Sequence, residues 1–360
     1  MAPSDLSPPE LVTVGGLTVD HVISADGMVA LGQAGGNGAY SAVGALLWTE
    51  RVGLVSQAVA SYPSAVIGRL ERCGVDLAGV VWSEARLTSG SWFIYDSEGR
   101  RQEGLQSNPE DLAAAGFPQD RLTSAQVAAW RDFLHKRNVP GEISYAQFRL
   151  AHPLDPEQVP QHFLRARGVH LAPSQPSVMQ AMLDRFTPTG MTVIADPGWQ
   201  LAEHKLEALA PILSRLDAFL PSEVELQAFV PGCAPATALE VLARHCPGTV
   251  AVKLGPKGVL VWDRMRATAV EVPAAPARTL DPTGAGDSFS GGFLAGLVAT
   301  GDPVRAAFFG ALSAARIVEH FGADGALSAD PAQAAAERAA RLAAFCSPAS
   351  VSTRVQALSP

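Results

Sequence analysis

The sequence predicts an α/β fold: a doubly wound, mostly parallel sheet with helices on both faces. Three observations predict it. Short apolar runs without period-two alternation recur at 11–14, 52–59, 169–171, 192–195, 218–220 and 250–254, as strands buried on both faces require. Roughly a helix's worth of chain separates the later runs, the rhythm of βα units. Near the C-terminus a Gly-rich turn enters a helical pattern in which Phe289, Phe293 and Leu297 share one face.

Taken in order, residues 1–10 are rich in Pro and Ser and are expected to form a disordered leader. The run at 11–14 ends at Gly15-Gly16, a strand entering a turn. From Thr18 to Leu31 apolar residues alternate loosely around Asp26-Gly27, a hairpin dipeptide, which predicts a small exposed ribbon. Gly35-Gly36-Asn37-Gly38 opens a helix bearing Val43, Leu46 and Leu47, and after the strand at 52–59 a second helix is expected at 64–73. A second ribbon is expected at 89–96, ended by Ser97-Glu98-Gly99.

From about 106 to 167, Pro109, Pro118, Pro140, Pro153, Pro156 and Pro160 break any long element, and only 124–134 reads as helical. This stretch is expected to be an insertion. It either reaches over the binding site, with Trp130, His135, Tyr145, Phe148 and Arg149 available, or covers a sheet edge or builds a dimer contact. The parallel rhythm then resumes. Gly301 stops the helix that follows 283, and Asp302-Pro303 starts a last one with Phe308, Leu312 and Val318 on it. One domain, 11–345, is expected, with 346–360 as a tail.

Composition narrows the function. The 360 residues are 48% hydrophobic and 17% charged, enough apolar material for a large core. A net charge of -8 leaves no basic excess to neutralise a phosphate backbone, so no nucleic-acid partner is expected and a small molecule is. No segment reaches the ~18 uncharged apolar residues of a membrane span, and the N-terminus lacks a basic patch before an apolar run. The expectation is a cytoplasmic protein with no membrane contact. Cys73, Cys233, Cys246 and Cys346 are too far apart for a zinc knuckle or a redox pair and are expected to be buried thiols in a reducing compartment.

The stretch Asp281-Pro282-Thr283-Gly284-Ala285-Gly286-Asp287 carries the chemistry. Gly284 and Gly286 let backbone approach a ligand, and the unpaired N–H groups and dipole of the helix that starts there attract phosphate. Asp287, in the first turn, can take the proton of a hydroxyl that attacks that phosphate. Read alone, the stretch is also a tight glycine turn with a helix-start aspartate that the dipole favours; the functional reading is transfer of a phosphoryl group to a hydroxyl. A dinucleotide-dependent oxidoreductase is disfavoured, because Gly15-Gly16 lacks the spaced third glycine and the acidic residue that should follow.

Over 281–293 the chain resembles the second signature of the PfkB, or ribokinase-like, carbohydrate kinases, and other segments match in the expected order. Val14-Gly15-Gly16 through Asp20 looks like the family's first strand and substrate-binding aspartate; Asp20 read alone is equally an ordinary turn aspartate. Gly35-Gly36-Asn37-Gly38-Ala39 looks like the di-glycine substrate loop. Val252-Lys253-Leu254-Gly255-Pro256-Lys257-Gly258 resembles the strand and turn beside the nucleotide, although Lys257 fits a solvated hairpin lysine as well. Glu225 in Ser222-Glu223-Val224-Glu225 holds the family's magnesium-organising position, with a solvated helix-start carboxylate as the other reading. Asp281 and Thr283 would lie by a monovalent-cation site such as potassium uses, and 311–322 near the adenine.

The resemblance covers 11–100 and 168–328. It implies a ribokinase-like three-layer fold with a small β lid at about 18–34 and 86–104, ATP and Mg2+ as cofactors, and a sugar-like or nucleoside acceptor; apart from the resemblance, exposed ribbons pair through their edges, and a homodimer through the lid is expected on that ground. A nucleotide-binding regulatory protein without transfer activity is the alternative. The substrate loop has Asn37 and Tyr40 where ribokinases carry lysine and asparagine, which points away from plain ribose. The segment 169–174 lacks the acidic residue that many such sugar kinases use.

Overall fold

The computed structural model describes residues 7–24, 26, 28–60, 62–86, 91–95, 143, 145–328 and 330–346. Its strands are β1 (Leu11–Val14), β2 (Thr18–Ile23), β3 (Val29–Gly35), β4 (Val52–Val59), β5 (Val75–Ser83), β6 (Ser91–Ile94), β7 (Gly168–Leu171), β8 (Thr192–Ala195), β9 (Ala218–Phe219), β10 (Thr249–Lys253), β11 (Val259–Asp263) and β12 (Thr268–Val272). Nine of them form one sheet in the order β12-β11-β10-β9-β8-β7-β1-β4-β5. From β5 across to β10 every pairing is parallel, and β11 and β12 close the far edge antiparallel.

The strand order reverses between β1 and β7. At such a point the connections on the two sides lead away from each other and leave a crevice at the carboxyl ends of the strands, where open α/β sheets bind ligands. The principal helices are α1 (Asn37–Leu46), α2 (Ser64–Arg72), α3 (Tyr145–Ala151), α4 (Pro176–Phe186), α5 (Glu223–Phe229), α6 (Pro235–His245), α7 (Ala285–Thr300), α8 (Pro303–Val318) and α9 (Pro331–Cys346). Two buried clusters lie on opposite faces of the sheet. One joins α1, α7 and α8 through Val43, Leu46, Phe289, Phe293 and Phe309. The other joins α4 and α6 through Met179, Leu183, Phe186, Leu239 and Leu242. Apolar strands covered on both sides are what this layering demands.

The second sheet is the lid, in the order β3-β2-β6. The expected hairpin is β2 and β3, antiparallel, while β6 adds to β2 in parallel.

Several expectations need correction. The leader is shorter than 1–10, since Pro9 is buried and Glu10 N–H donates to Arg51 O at 3.1 Å. Residues 145–167, assigned to the insertion, belong to the packed body. Phe148 and Phe163 are among its largest fully buried side chains, and a capping box at Asp155 starts a short turn of helix there. Of the thiols, Cys246 is buried but Cys73 and Cys233 are only half-buried. The turn at 97–99, the helix at 124–134 and the tail after 346 lie outside the described residues. Among those described, no helix is long and apolar enough to cross a membrane.

Candidate active site

Asp20 sits in β2 where the lid meets the sheet, and it is fully buried. Its carboxylate lies so close over Gly35 that a Cβ on that residue would fall inside it, which only glycine avoids. Burial first, and Asp281 next, push its carboxyl well above the usual range. Asp20 Oδ1 is buried without a hydrogen-bond partner among the described residues, the condition of an acceptor turned toward a ligand. Gly36 precedes α1 with φ 96°. Asn37, expected to face substrate, has both ends of its amide occupied. Its Oδ1 accepts from Gly16 N–H at 2.6 Å and its Nδ2 donates to Pro173 O at 3.3 Å, so it ties the start of α1 to the ends of β1 and β7.

At the other side of the crevice α7 starts without a side-chain cap after Gly284, whose φ of 74° is left-handed. The Tyr40 ring fills the place a Cβ on Gly284 would take, which leaves this turn to glycine. Ala285 N–H donates within the turn to Pro282 O at 3.3 Å. Asp287 follows in the first helical turn. Burial and then the charge of Asp196 push its carboxyl up to about 7, against the pull of Lys253. Asp281 Oδ1 accepts from Thr283 N–H at 2.9 Å, and burial pushes this carboxyl up to about 6. Thr283 Oγ1 is 2.8 Å from the Tyr95 hydroxyl, so the residue after β6 ties the lid to this loop. Tyr40 is buried among the three carboxylates; burial, then Asp20 and Asp281, raise its phenol well above the ordinary value.

Sequence reasoning missed Asp196. It follows β8, and its Oδ1 accepts from Lys253 Nζ at 2.5 Å while its Oδ2 accepts from Ser290 Oγ at 2.7 Å. His170 Nε2 is 3.3 Å from the same Oδ2, and His170 Nδ1 is 2.7 Å from Ser41 Oγ. Burial opposes both charges of the pair. Lys253 and His170 nevertheless hold Asp196 below the usual carboxylate range, and Asp196 and Glu225 raise Lys253. An ammonium that can be neutralised only at a high pH thus stands as a fixed positive charge next to Gly286 at the start of α7. A carboxylate at the carboxyl end of a parallel strand was the signal available in the sequence.

Glu225 Oε2 accepts from Ser222 N–H at 2.7 Å and from Ser222 Oγ at 2.8 Å, a capping box at the start of α5. Its charge nonetheless reaches Lys253 and Asp287. Lys257 stands apart. Its side chain is 69% exposed, against 15% for Lys253, and pairs with Glu223 at 3.4 Å. Gly255 and Gly258 shape the turn between β10 and β11, both with positive φ.

The sequence profile of the pfkB family of carbohydrate kinases matches residues 149–330, half of the chain. The chain belongs to this family. It is a phosphotransferase with a hydroxyl acceptor. The kinase is 26% identical over 288 residues to the cytidine kinase of Thermococcus kodakarensis, covering 80% of this chain and 88% of the relative. It is 28% identical over 332 residues to the ATP-dependent ribose-1-phosphate kinase of Halopiger xanaduensis, covering 89% and 92%. In fold it is similar to the adenosine kinase of Sinorhizobium meliloti, with a TM-score of 0.65 at 16% identity over 94% of this chain and 100% of that one. The expected ribokinase-like fold is thus borne out, and so is a kinase of the pfkB carbohydrate kinase family.

Proposed function

We propose that the kinase transfers the γ-phosphoryl group of ATP to a hydroxyl of a small sugar or nucleoside, with Asp287 as general base. The observation that carries this reading is the position of Asp287: half-buried in the first turn of α7, at a helix start that has no side-chain cap, and acting electrostatically on Asp20. The acceptor O–H gives its proton to the Asp287 carboxylate as the new O–P bond forms and the bond to the leaving ADP breaks. Asp20 Oδ1 would accept from acceptor hydroxyls, with Gly35 and Gly36 bringing backbone close and Asn37 holding the loop. The turn Gly284-Ala285-Gly286 and Lys253 would receive the transferred group.

Gly255, Gly258 and Lys257 would border the nucleotide, with Thr283 beside its phosphates. Among the described residues no three His, Cys, Asp or Glu side chains gather as a metal cage. That fits Mg2+, which is commonly held by one or two carboxylates, waters and substrate phosphates, and Glu225 would approach it through water. Bound there, Mg2+ would neutralise charge on the phosphates. Asp281 would hold a monovalent cation, whose charge would offset the carboxylate's burial. The open edges of the lid suit a homodimer, which sedimentation velocity tests.

The test is an ATP-to-ADP assay with Mg2+ and K+ over pentoses, hexoses, sugar acids and nucleosides. Asp287→Asn should abolish turnover of every acceptor found and leave nucleotide binding intact. A variant that keeps the wild-type rate removes Asp287 as the base.

A further inference from the structure

Next to the acceptor site, at the reversal point between β1 and β7, lies a cavity of about 350 Å3 that the phosphoryl-transfer machinery does not use. Gly15 and Gly16, at the end of β1, form one side of it, Pro173 and Ser174 after β7 another, and α3 closes it with Tyr145 and Arg149. Tyr145 is the wall shared with the acceptor site. Its hydroxyl rests on the backbone of Gly16, where a Cβ would collide with it. Gly16 also lies against the loop before α1, since it donates to Asn37 and a Cβ on Gly36 would stand 2.3 Å from Gly16 O. An acceptor seated on Asp20 therefore has this cavity as the continuation of its own site.

The chemistry of the wall is specific. Among the described lining residues Arg149 carries a formal positive charge, and none is Asp or Glu. Its guanidinium lies 5.9 Å from the centre of the Tyr145 ring and donates one long hydrogen bond, 3.4 Å, to Pro173 O. A guanidinium has five N–H donors in a planar fork that suits a carboxylate or phosphate. Asp20 offers an anionic group no positive partner, so an acceptor carrying such a group needs a cation at its far end. Lys253 stands elsewhere, paired with Asp196 and next to Gly286 at the start of α7.

We propose that this cavity is a second acceptor subsite in which Arg149 binds an anionic group, a phosphate or a carboxylate, carried by the acceptor at the end remote from the reacting hydroxyl. The inference rests on the reading of Asp20 as the ligand of the acceptor's hydroxyls.

The test compares kcat/KM for a pentose phosphate, a sugar acid, a free pentose and a nucleoside in the wild type, Arg149→Gln and Arg149→Lys. At least one anionic acceptor should exceed both neutral ones in the wild type, and which of the two does so tells phosphate from carboxylate. Arg149→Gln should lower the anionic-to-neutral ratio by roughly 10- to 100-fold, the loss of a charge-assisted hydrogen bond, and Arg149→Lys should restore part of it. A nucleoside preferred over both anions, or a ratio unmoved by Arg149→Gln, overturns the proposal. Calorimetric titration with the same sugar phosphate and sugar acid, without ATP, reads the subsite independently of turnover. Arg149-dependent binding with no transfer to any acceptor would sink the proposed reaction and leave the subsite standing. Transfer with no dependence on Arg149 would do the reverse.

Discussion

Asp287 owes its proton affinity to its surroundings. Burial and Asp196 favour the neutral acid, Lys253 favours the carboxylate, and Glu225 adds to the first side. A general base must be ionised to work, so kcat/KM should rise with pH and level off above about 7. Replacing Asp196 with Asn removes a negative neighbour and releases the positive charge of Lys253 from its partner; both changes favour ionised Asp287. The acid limb should move to lower pH in Asp196→Asn even as turnover falls, because Lys253 no longer has the carboxylate that aims it at the anion site. Steady-state kinetics from pH 5 to 9 provide the check. An acid limb that stays in place would mean that Asp196 does not act on the base.

At the level of elements, the parallel strands were legible because burial on both faces leaves a continuous apolar run, and the start of α7 because Gly284, Gly286 and Asp287 fall within the seven residues 281–287. β5 was not legible. It is the edge strand of the sheet and mixes buried, half-buried and exposed positions, so Val75–Ser83 shows neither an apolar run nor clean alternation. The Asp196 network was hidden for another reason: its members come from α1, β7, β8, β10 and α7, and only the fold brings them together. Residues 145–167 were obscured by their prolines. Phe163 shows their part in the fold, since its ring fills the space over Gly53, where a Cβ would stand 2.8 Å from it. Phe163→Ala should therefore cost about 3–5 kcal/mol of stability, read as a lower urea midpoint, with the KM for ATP unchanged. A midpoint equal to that of the wild type would return this segment to the status of an appendage.

Across the whole molecule, the buried carboxyls make stability depend on pH in the direction opposite to that of a salt-bridged surface. Asp287 titrates near 7 and Asp281 near 6 in the fold, while both have an ordinary value of 3.8. Between about 4 and 7 these two groups keep protons in the folded chain that they have released in the unfolded one, so their contribution to stability falls as pH rises through that window, while His21, which burial lowers to about 4, acts in the opposite sense. Asp20 acts in the same sense and Asp196, whose carboxyl is lowered, in the opposite one. The difference between the wild type and Asp287→Asn isolates one group. Without ligands, the variant should gain stability relative to the wild type as pH rises from 5 to 8, on the order of 2 kcal/mol or more, since a tenfold change in proton affinity corresponds to about 1.4 kcal/mol. Urea unfolding at both pH values measures it. Curves that stay parallel would show that Asp287 is ionised throughout in the folded chain, and the acid limb expected near 7 would then have to belong to another group.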